Sequence, residues 1–269
     1  ILKDRLGFQA SARYLKEDGG NIMRDLFAPS DSPAGLNSGL DRSLWVVQST
    51  GSGDFVAPRS ERLSINTTLN AALTETMRLD SNLFPQHGDF SHYSHQQKYV
   101  PGGLNKGYFG SQTHILSLRY TVGTRSFGNI SYSYLRDKYD SYLYEDPTDS
   151  RYQSPQLGSL TGTNAFSVGG NDLFTNDELT ETHTVVIDYS SQVNNNHLMK
   201  VGVHGRFHSL DNRSFGIEKS ARTLFQPRPS PDVFSDNSLT AKPVELAAYW
   251  QDKMEFTGLI VNAGLRFDY

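Results

Sequence analysis

Three histidines and an aspartate crowd one stretch of the sequence, His87-Gly88-Asp89-Phe90-Ser91-His92-Tyr93-Ser94-His95. In a loop, such side chains can fold onto one metal ion or haem. Each imidazole can also switch between neutral and cationic near pH ~6.5. A solvated polar loop accounts for them as simply, so His92 and His95 are kept as ligand-binding candidates and no metal is assigned. His204 and His208 flank Arg206 at a spacing of four. Along a strand that spacing is roughly 13 Å, too far for one ion whose ligands stand at about 2 Å. A third group is acidic and rich in tyrosine: Asp137, Tyr139, Asp140, Tyr142, Tyr144, Glu145, Asp146 and Asp149. Phenols stack and hydrogen-bond at once, so Tyr139, Tyr142 and Tyr144 suit capture of a sugar, peptide or aromatic siderophore. Carboxylates there also suit Ca²⁺, although the spacing is not that of an EF-hand.

Catalytic signatures are missing. There is no G-x-S-x-G elbow, no H-E-x-x-H and no P-loop. Gly51-Ser52-Gly53 is too short a glycine motif to cradle a phosphate. Nothing pairs a serine with a histidine and an aspartate. The chain is expected to be no enzyme and to carry no cofactor.

Bulk properties narrow the class. The 269 residues are 36% hydrophobic and 20% charged, with net charge -4 and mean hydropathy -0.51. A balance so near neutral speaks against nucleic acid as a partner. With no cysteine, disulfides and thiolate metal sites are impossible. No run of 18 apolar residues exists, so no helix of this sequence crosses a membrane. A strand-built membrane wall is a different matter, because its residues alternate and average to mild polarity. The chain holds 15 Phe, 14 Tyr and 2 Trp. Ile1 is not a natural start, and a mature or internal fragment is expected.

Period-two alternation runs through the chain. Residues 114–122 set Leu116, Leu118, Tyr120 and Val122 against Ser117, Arg119 and Thr121. Residues 127–135, 183–190, 198–208 and 259–269 repeat the pattern, with Ile130, Val185, Val201 and Leu265 on one side. Their other side holds Asp188, Lys200, Arg206 and Arg266. Such alternation predicts half-buried strands. Less regular strands are expected at 4–14, 61–69, 74–82 and 244–255, which gives nine candidates. The fours in Leu69, Leu73 and Met77 hint at a helix, but the Asn/Thr content favours two strands with a tight turn at residues 70–72.

Between the strands, short turns at 122–127, 193–197 and 255–258 alternate with long polar stretches at 16–60, 83–111, 138–179 and 211–241. Long structureless loops are uncommon in compact domains. A transmembrane barrel has this asymmetry by construction, with short periplasmic turns and long extracellular loops. A soluble sandwich with one wet face alternates equally well, yet has no reason to put every long loop at one end. In a barrel, Arg119, Asp188, Lys200, Arg206 and Arg266 would be lumen-facing. Tyr120, Tyr132, Tyr134, Tyr189 and Phe207 would form an interfacial aromatic girdle.

One region supports a more specific reading. Pro243-Val244-Glu245 and Ala248-Tyr249-Trp250-Gln251-Asp252-Lys253 are followed by a short turn and Asn262-Ala263-Gly264-Leu265-Arg266-Phe267-Asp268-Tyr269. This hairpin, with Ile187-Asp188-Tyr189 and Leu198-Met199-Lys200 before it, resembles the barrel of TonB-dependent receptors. The two hairpins cover the last third of the chain. The resemblance implies a barrel of about 22 strands, a plug domain inside it, and energised uptake of a scarce ligand with an inner-membrane TonB partner. Bacterial single-chain barrels have even strand numbers, so nine strands are expected to be a slice of such a wall.

The resulting expectation is all-β: an antiparallel transmembrane β-barrel segment, with residues 1–269 as one partial barrel domain. It would belong to a receptor in the outer membrane of a Gram-negative-type bacterium. Outer-membrane lipid, a plug, TonB and a small-molecule, glycan or peptide ligand would be its partners. A porin-like or hydrolytic barrel, or a soluble carbohydrate-binding β-domain, stands as the alternative.

Overall fold

Nine long strands follow one another across a single antiparallel sheet in the computed structural model, which describes residues 5–31, 33–34, 46–154, 156–157, 166–232 and 236–269. They are β1 (Leu6–Asp18), β2 (Arg59–Ala72), β3 (Met77–Ser91), β4 (Lys106–Val122), β5 (Ser126–Tyr142), β6 (Phe174–Gln192), β7 (His197–Glu218), β8 (Val244–Phe256) and β9 (Leu259–Asp268). Each pairs antiparallel with its sequence neighbours. Two short strands, Arg228–Pro229 and Asp236–Ala241, add to the far half of β7. A meander of this kind must place alternate connections at opposite ends of the sheet. Short turns at 73–76, 123–125, 193–196 and 257–258 therefore share one end, and the long connections share the other. Among the described residues β1 does not pair with β9, so the sheet has two free edges.

The strands run longer than alternation alone suggested, and residues expected in loops belong to them. β6 has 19 residues and β7 has 22, whereas crossing a bilayer takes about 9–11. His87, Asp89, Tyr139 and Tyr142 are strand residues, so the expected loops shrink to 19–58, 92–105, 143–173 and 219–243. The turn placed at 70–72 lies instead at 73–76. Asn70 pairs with Asp80 inside the ladder, and the Thr74 hydroxyl accepts from the Thr76 N–H at 3.2 Å. Asp4, at the start of the first expected strand, lies outside the described residues. So do residues 35–45, 158–165 and 233–235 of the long connections.

Register sorts the side chains into two faces, because directly opposed residues point the same way. One row reads Leu79, Leu118, Ile130, Ile187, Val203, Ala248 and Phe267. The next reads Ser81, Leu116, Tyr132, Val185, Gly205 and Leu246. One residue along every strand, the opposite face gives Asp80, Ser117, Ser131, Val186, His204, Ala247 and Asp268. The apolar band on β5 runs from Gly128 through Ile130 and Tyr132 to Tyr134, then gives way to Arg136, Lys138 and Asp140. It spans seven residues there and nine on β7, from Met199 to Phe207, close to what a tilted strand needs to cross hydrocarbon. Large apolar side chains on this face stand exposed, Leu265 by 77% and Phe267 by 67%. A patch this continuous marks a surface that meets something apolar.

Buried hydrophobic residues lie elsewhere. Met23, Val100, Leu104, Tyr152, Val168, Phe215 and Ile217 make up that set among the described residues. All belong to the long connections or to the far end of β7. The sheet has no core of its own in its turn-end half, while the connections have one.

Candidate functional site

The long connections fold against one another as a cap. The first meets the second through Arg24, Leu26 and Phe27, whose N–H groups donate to the Lys98 and Tyr99 carbonyls at 2.8–3.2 Å. The second meets the third where Asp172 N–H donates to Gly103 C=O at 2.7 Å and Ser167 N–H to Gln96 C=O at 2.8 Å. Gly170 N–H reaches Pro29 C=O at 2.7 Å and ties the third back to the first. Gly103 has to be glycine for this, because a Cβ there would strike the Gly170 carbonyl. Lys219 joins the fourth connection to the third, its ammonium donating to the Ser150 and Tyr152 carbonyls at 3.2 and 2.7 Å.

Asn171 and Asp31, two polar anchors inside the cap, are hydrogen-bonded as buried groups usually are. Asn171, fully buried, accepts from Gln153 N–H at 2.7 Å and donates to Arg151 C=O at 3.1 Å. Asp31 accepts from the Ala28 and Thr50 N–H groups at 2.9 and 2.8 Å, and from the Thr50 hydroxyl at 2.6 Å. Burial pushes the Asp31 carboxyl upward, but the Thr50 and Ala28 hydrogen bonds outweigh it and hold it below its ordinary value. The Arg151 guanidinium beside Asp149 lowers that carboxyl to about 2.

The five candidate ligand residues fall into different surroundings. His92 and Tyr139 are brought together by Phe90. His92 meets its ring edge-on at 4.9 Å, and Tyr139 lies parallel to it at 6.3 Å. Phe109 completes this cluster at 6.4 Å from Phe90. By register Phe90, Phe109 and Tyr139 belong to the polar face, at the mouth formed by the cap. His95 stands in a second cluster. Its Nδ1 is 3.1 Å from the Tyr93 hydroxyl, and its ring is 5.5 Å from Phe166. Lys98 lies over the Phe166 and Tyr99 rings at 4.3 and 4.9 Å. Tyr142 points to the opposite face, stacked on Tyr108 at 4.7 Å. Tyr144 packs into the cap core: its N–H donates to the Tyr152 hydroxyl at 3.1 Å, which donates back to the Tyr144 carbonyl at 2.8 Å. Among the described residues no three His, Asp or Glu side chains converge as metal ligands would. Alternation read past residue 82 would have found Phe90 and Phe109, apolar residues out of phase on a polar face. Phe166 and Lys98 have no sequence signal.

Arg119, Asp188, Lys200, Arg206 and Arg266 all lie on the polar face by register. Arg119 is paired with Asp80 at 2.6 Å, Arg206 with Glu245 at 3.4 Å and Arg266 with Asp268 at 2.7 Å. Asp188 accepts from the Tyr249 hydroxyl at 2.8 Å, with His204 3.6 Å away. Gly202 sits between, and its missing Cβ leaves room for the Tyr249 ring. The central rows of this face are hydroxyls and amides, such as Ser117 with Ser131 at 2.9 Å and Thr68 with Asn82 at 2.9 Å. Such a surface is wettable and carries fixed charge at its turn end. It offers hydrogen bonds to a passing polar solute.

The architecture matches a known structure. The outer membrane transporter YddB from Escherichia coli aligns with a TM-score of 0.61 at 10% sequence identity, over 99% of this chain and 32% of that one. The chain thus spans about a third of that transporter's length. At this identity the likeness is one of fold, the antiparallel wall of an outer-membrane barrel. No protein-family model matches the chain, and no curated protein does.

Proposed function

We propose that this chain forms part of the wall of an outer-membrane transporter of the TonB-dependent receptor type, which gathers a scarce siderophore, glycan or peptide on its cap. The observation that carries the reading is the coincidence of two asymmetries. One face is apolar over a depth of seven to nine residues, which suits a bilayer, and every long connection emerges at the end beyond that band. The polar face, with Arg119, Asp188, Lys200, Arg206 and Arg266, lines a wide aqueous lumen in this reading. Phe90, His92, Phe109 and Tyr139 form the aromatic landing at its mouth. The free edges of β1 and β9 argue for further strands, because unpaired N–H and C=O groups in lipid cost several kcal/mol each. A plug and TonB are the partners that energised uptake through so wide a barrel requires.

Protease added to intact cells that make the full-length protein tests the topology. Cleavage is expected within 92–105 and 219–232, with the turns at 193–196 and 257–258 spared. Cleavage at those turns, or recovery of the protein without detergent, would overturn the reading in favour of a soluble domain. Deletion of TonB separates receptor from porin. Growth on a siderophore, maltodextrin or peptide taken up through the protein stops if it is a receptor and continues if it is a passive pore.

A further inference from the structure

Near the turn end of the polar face, three arginines share one row. Arg78 on β3 stands directly opposite Arg119 on β4, and Ala72 of β2 opposes Arg78 on its other side. Arg5 closes the row, since Ala72 N–H donates to the Arg5 carbonyl at 2.7 Å and Arg5 lies two residues before Gly7 on that face. The row therefore reads Arg5, Ala72, Arg78, Arg119. Like charges placed directly opposite on a sheet repel, and nothing in the ladder requires arginine at both positions.

Counter-charge is short. Asp80 is the carboxylate at hand, and both its contacts go to Arg119, whose Nε and Nη2 donate to Oδ2 at 3.0 and 2.6 Å. Among the described residues Arg5 and Arg78 have no carboxylate partner. Between them Gly7 and the small side chain of Ala72 floor a hollow of about 330 Å³ that opens on the polar face. Guanidinium donors on either side of a shallow, small-residue floor suit an oxyanion, because each fork can give two parallel N–H···O bonds.

We propose that Arg5, Arg78 and Arg119 form an oxyanion-binding site that accepts a carboxylate or phosphate group on the inner wall near the turn rim. The site rests on the barrel reading for its position, since on a lumen wall it is reached from inside. Two sources can supply the oxyanion: a carboxylate of a protein segment lying against the wall, or a free phosphate-bearing solute. In both, the bond is electrostatic and bidentate and weakens as salt rises.

The test uses the full-length protein in detergent, titrated calorimetrically with inorganic phosphate at constant ionic strength. If the site is open, phosphate binds, and Arg78→Gln weakens binding at least about tenfold, as loss of one charged hydrogen-bonded partner should. Arg13→Gln, on the same face but higher up β1, leaves binding unchanged. If a carboxylate of the protein already fills the site, phosphate gives no heat. In that case Arg78→Glu lowers the melting temperature by several degrees more than Arg78→Gln does. Absence of phosphate binding together with equal melting of Arg78→Glu and wild type overturns the proposal. Heat-modifiable electrophoretic migration of every variant keeps the two readings apart. A wild type without it defeats the barrel reading, whereas a migrating barrel with no oxyanion response defeats the site alone.

Discussion

The turn-end half of the sheet and the cap are built on opposite principles. In the sheet half, side chains such as Leu118, Ile187 and Val203 are apolar and face outward, so their burial comes from the surroundings rather than from the chain. In the cap, Tyr152, Val100 and Ile217 are buried against other parts of the same chain. Hydrogen bonding divides the same way. The sheet half satisfies its backbone strand by strand, while the cap joins residues far apart, such as Pro29 with Gly170. The band is thus held by a pattern and a solvent, and the cap by particular contacts. Single substitutions should act differently in the two.

The largest difference is expected at Tyr152. Tyr152→Ala removes a fully buried ring and both bonds to Tyr144, a loss of roughly 3–5 kcal/mol for a large buried ring cut to alanine. Because the cap carries its own core, the loss should appear locally. Amide exchange should quicken at 143–154 and 215–217, with the ladder of β4 and β5 unchanged. Equal loss of protection throughout the sheet would mean that cap and band are one cooperative unit. In the band the sensitive property is polarity. Val203→Arg puts a charge in the middle of the apolar face and should cost about 2–4 kcal/mol in folding into vesicles. Ser131→Arg, in the next row but on the polar face, should cost no more than its hydrogen bond to Ser117, about 1 kcal/mol. Similar costs for both would remove the distinction between the faces.

The same contrast explains what the sequence made legible. Leu116 and Arg119 could be assigned to opposite faces because a strand between two solvents must alternate, and a slip of one residue inverts it. Nine strands in order followed from that rule. The cap has no such rule. Its core joins Tyr152 to Phe215 and Ile217, which are far apart in sequence, and much of its glue is backbone hydrogen bonding, which leaves no residue pattern. Tyr144 looked like a surface phenol for the same reason that Tyr139 did, yet one packs inward and the other lies on the polar face. Asn70 resembled a turn residue because amides favour turns, but on a water-facing strand position an amide is equally at home. Of the candidate site, the union of His92 with Tyr139 depends on Phe90, which comes into view only when β3 is extended to Ser91.

The smallest effect is expected at Asp31, where the contrast can be read through pH. Its carboxylate joins 28–31 to 49–51 by three hydrogen bonds, all made to the ionised form. The folded value lies below the ordinary carboxylate value of 3.8. The stabilisation is therefore complete above the unfolded value and is lost as pH falls through the folded one. Asp149 behaves likewise, losing its contribution between about 4 and about 2. Acid should then loosen the cap before the band, whose central row Leu79, Leu118, Ile130, Ile187 and Val203 has nothing to titrate. Asp31→Asn keeps one acceptor oxygen and removes the charge, which should cost about 1–2 kcal/mol of local stability at neutral pH and flatten the acid dependence of the first connection. Protease accessibility of 25–31 and 48–54, followed from pH 6 to 2.5, reports it. A wild type whose accessibility does not rise on acidification, or an Asp31→Asn variant that keeps the wild-type profile, would mean that other contacts hold this part of the cap.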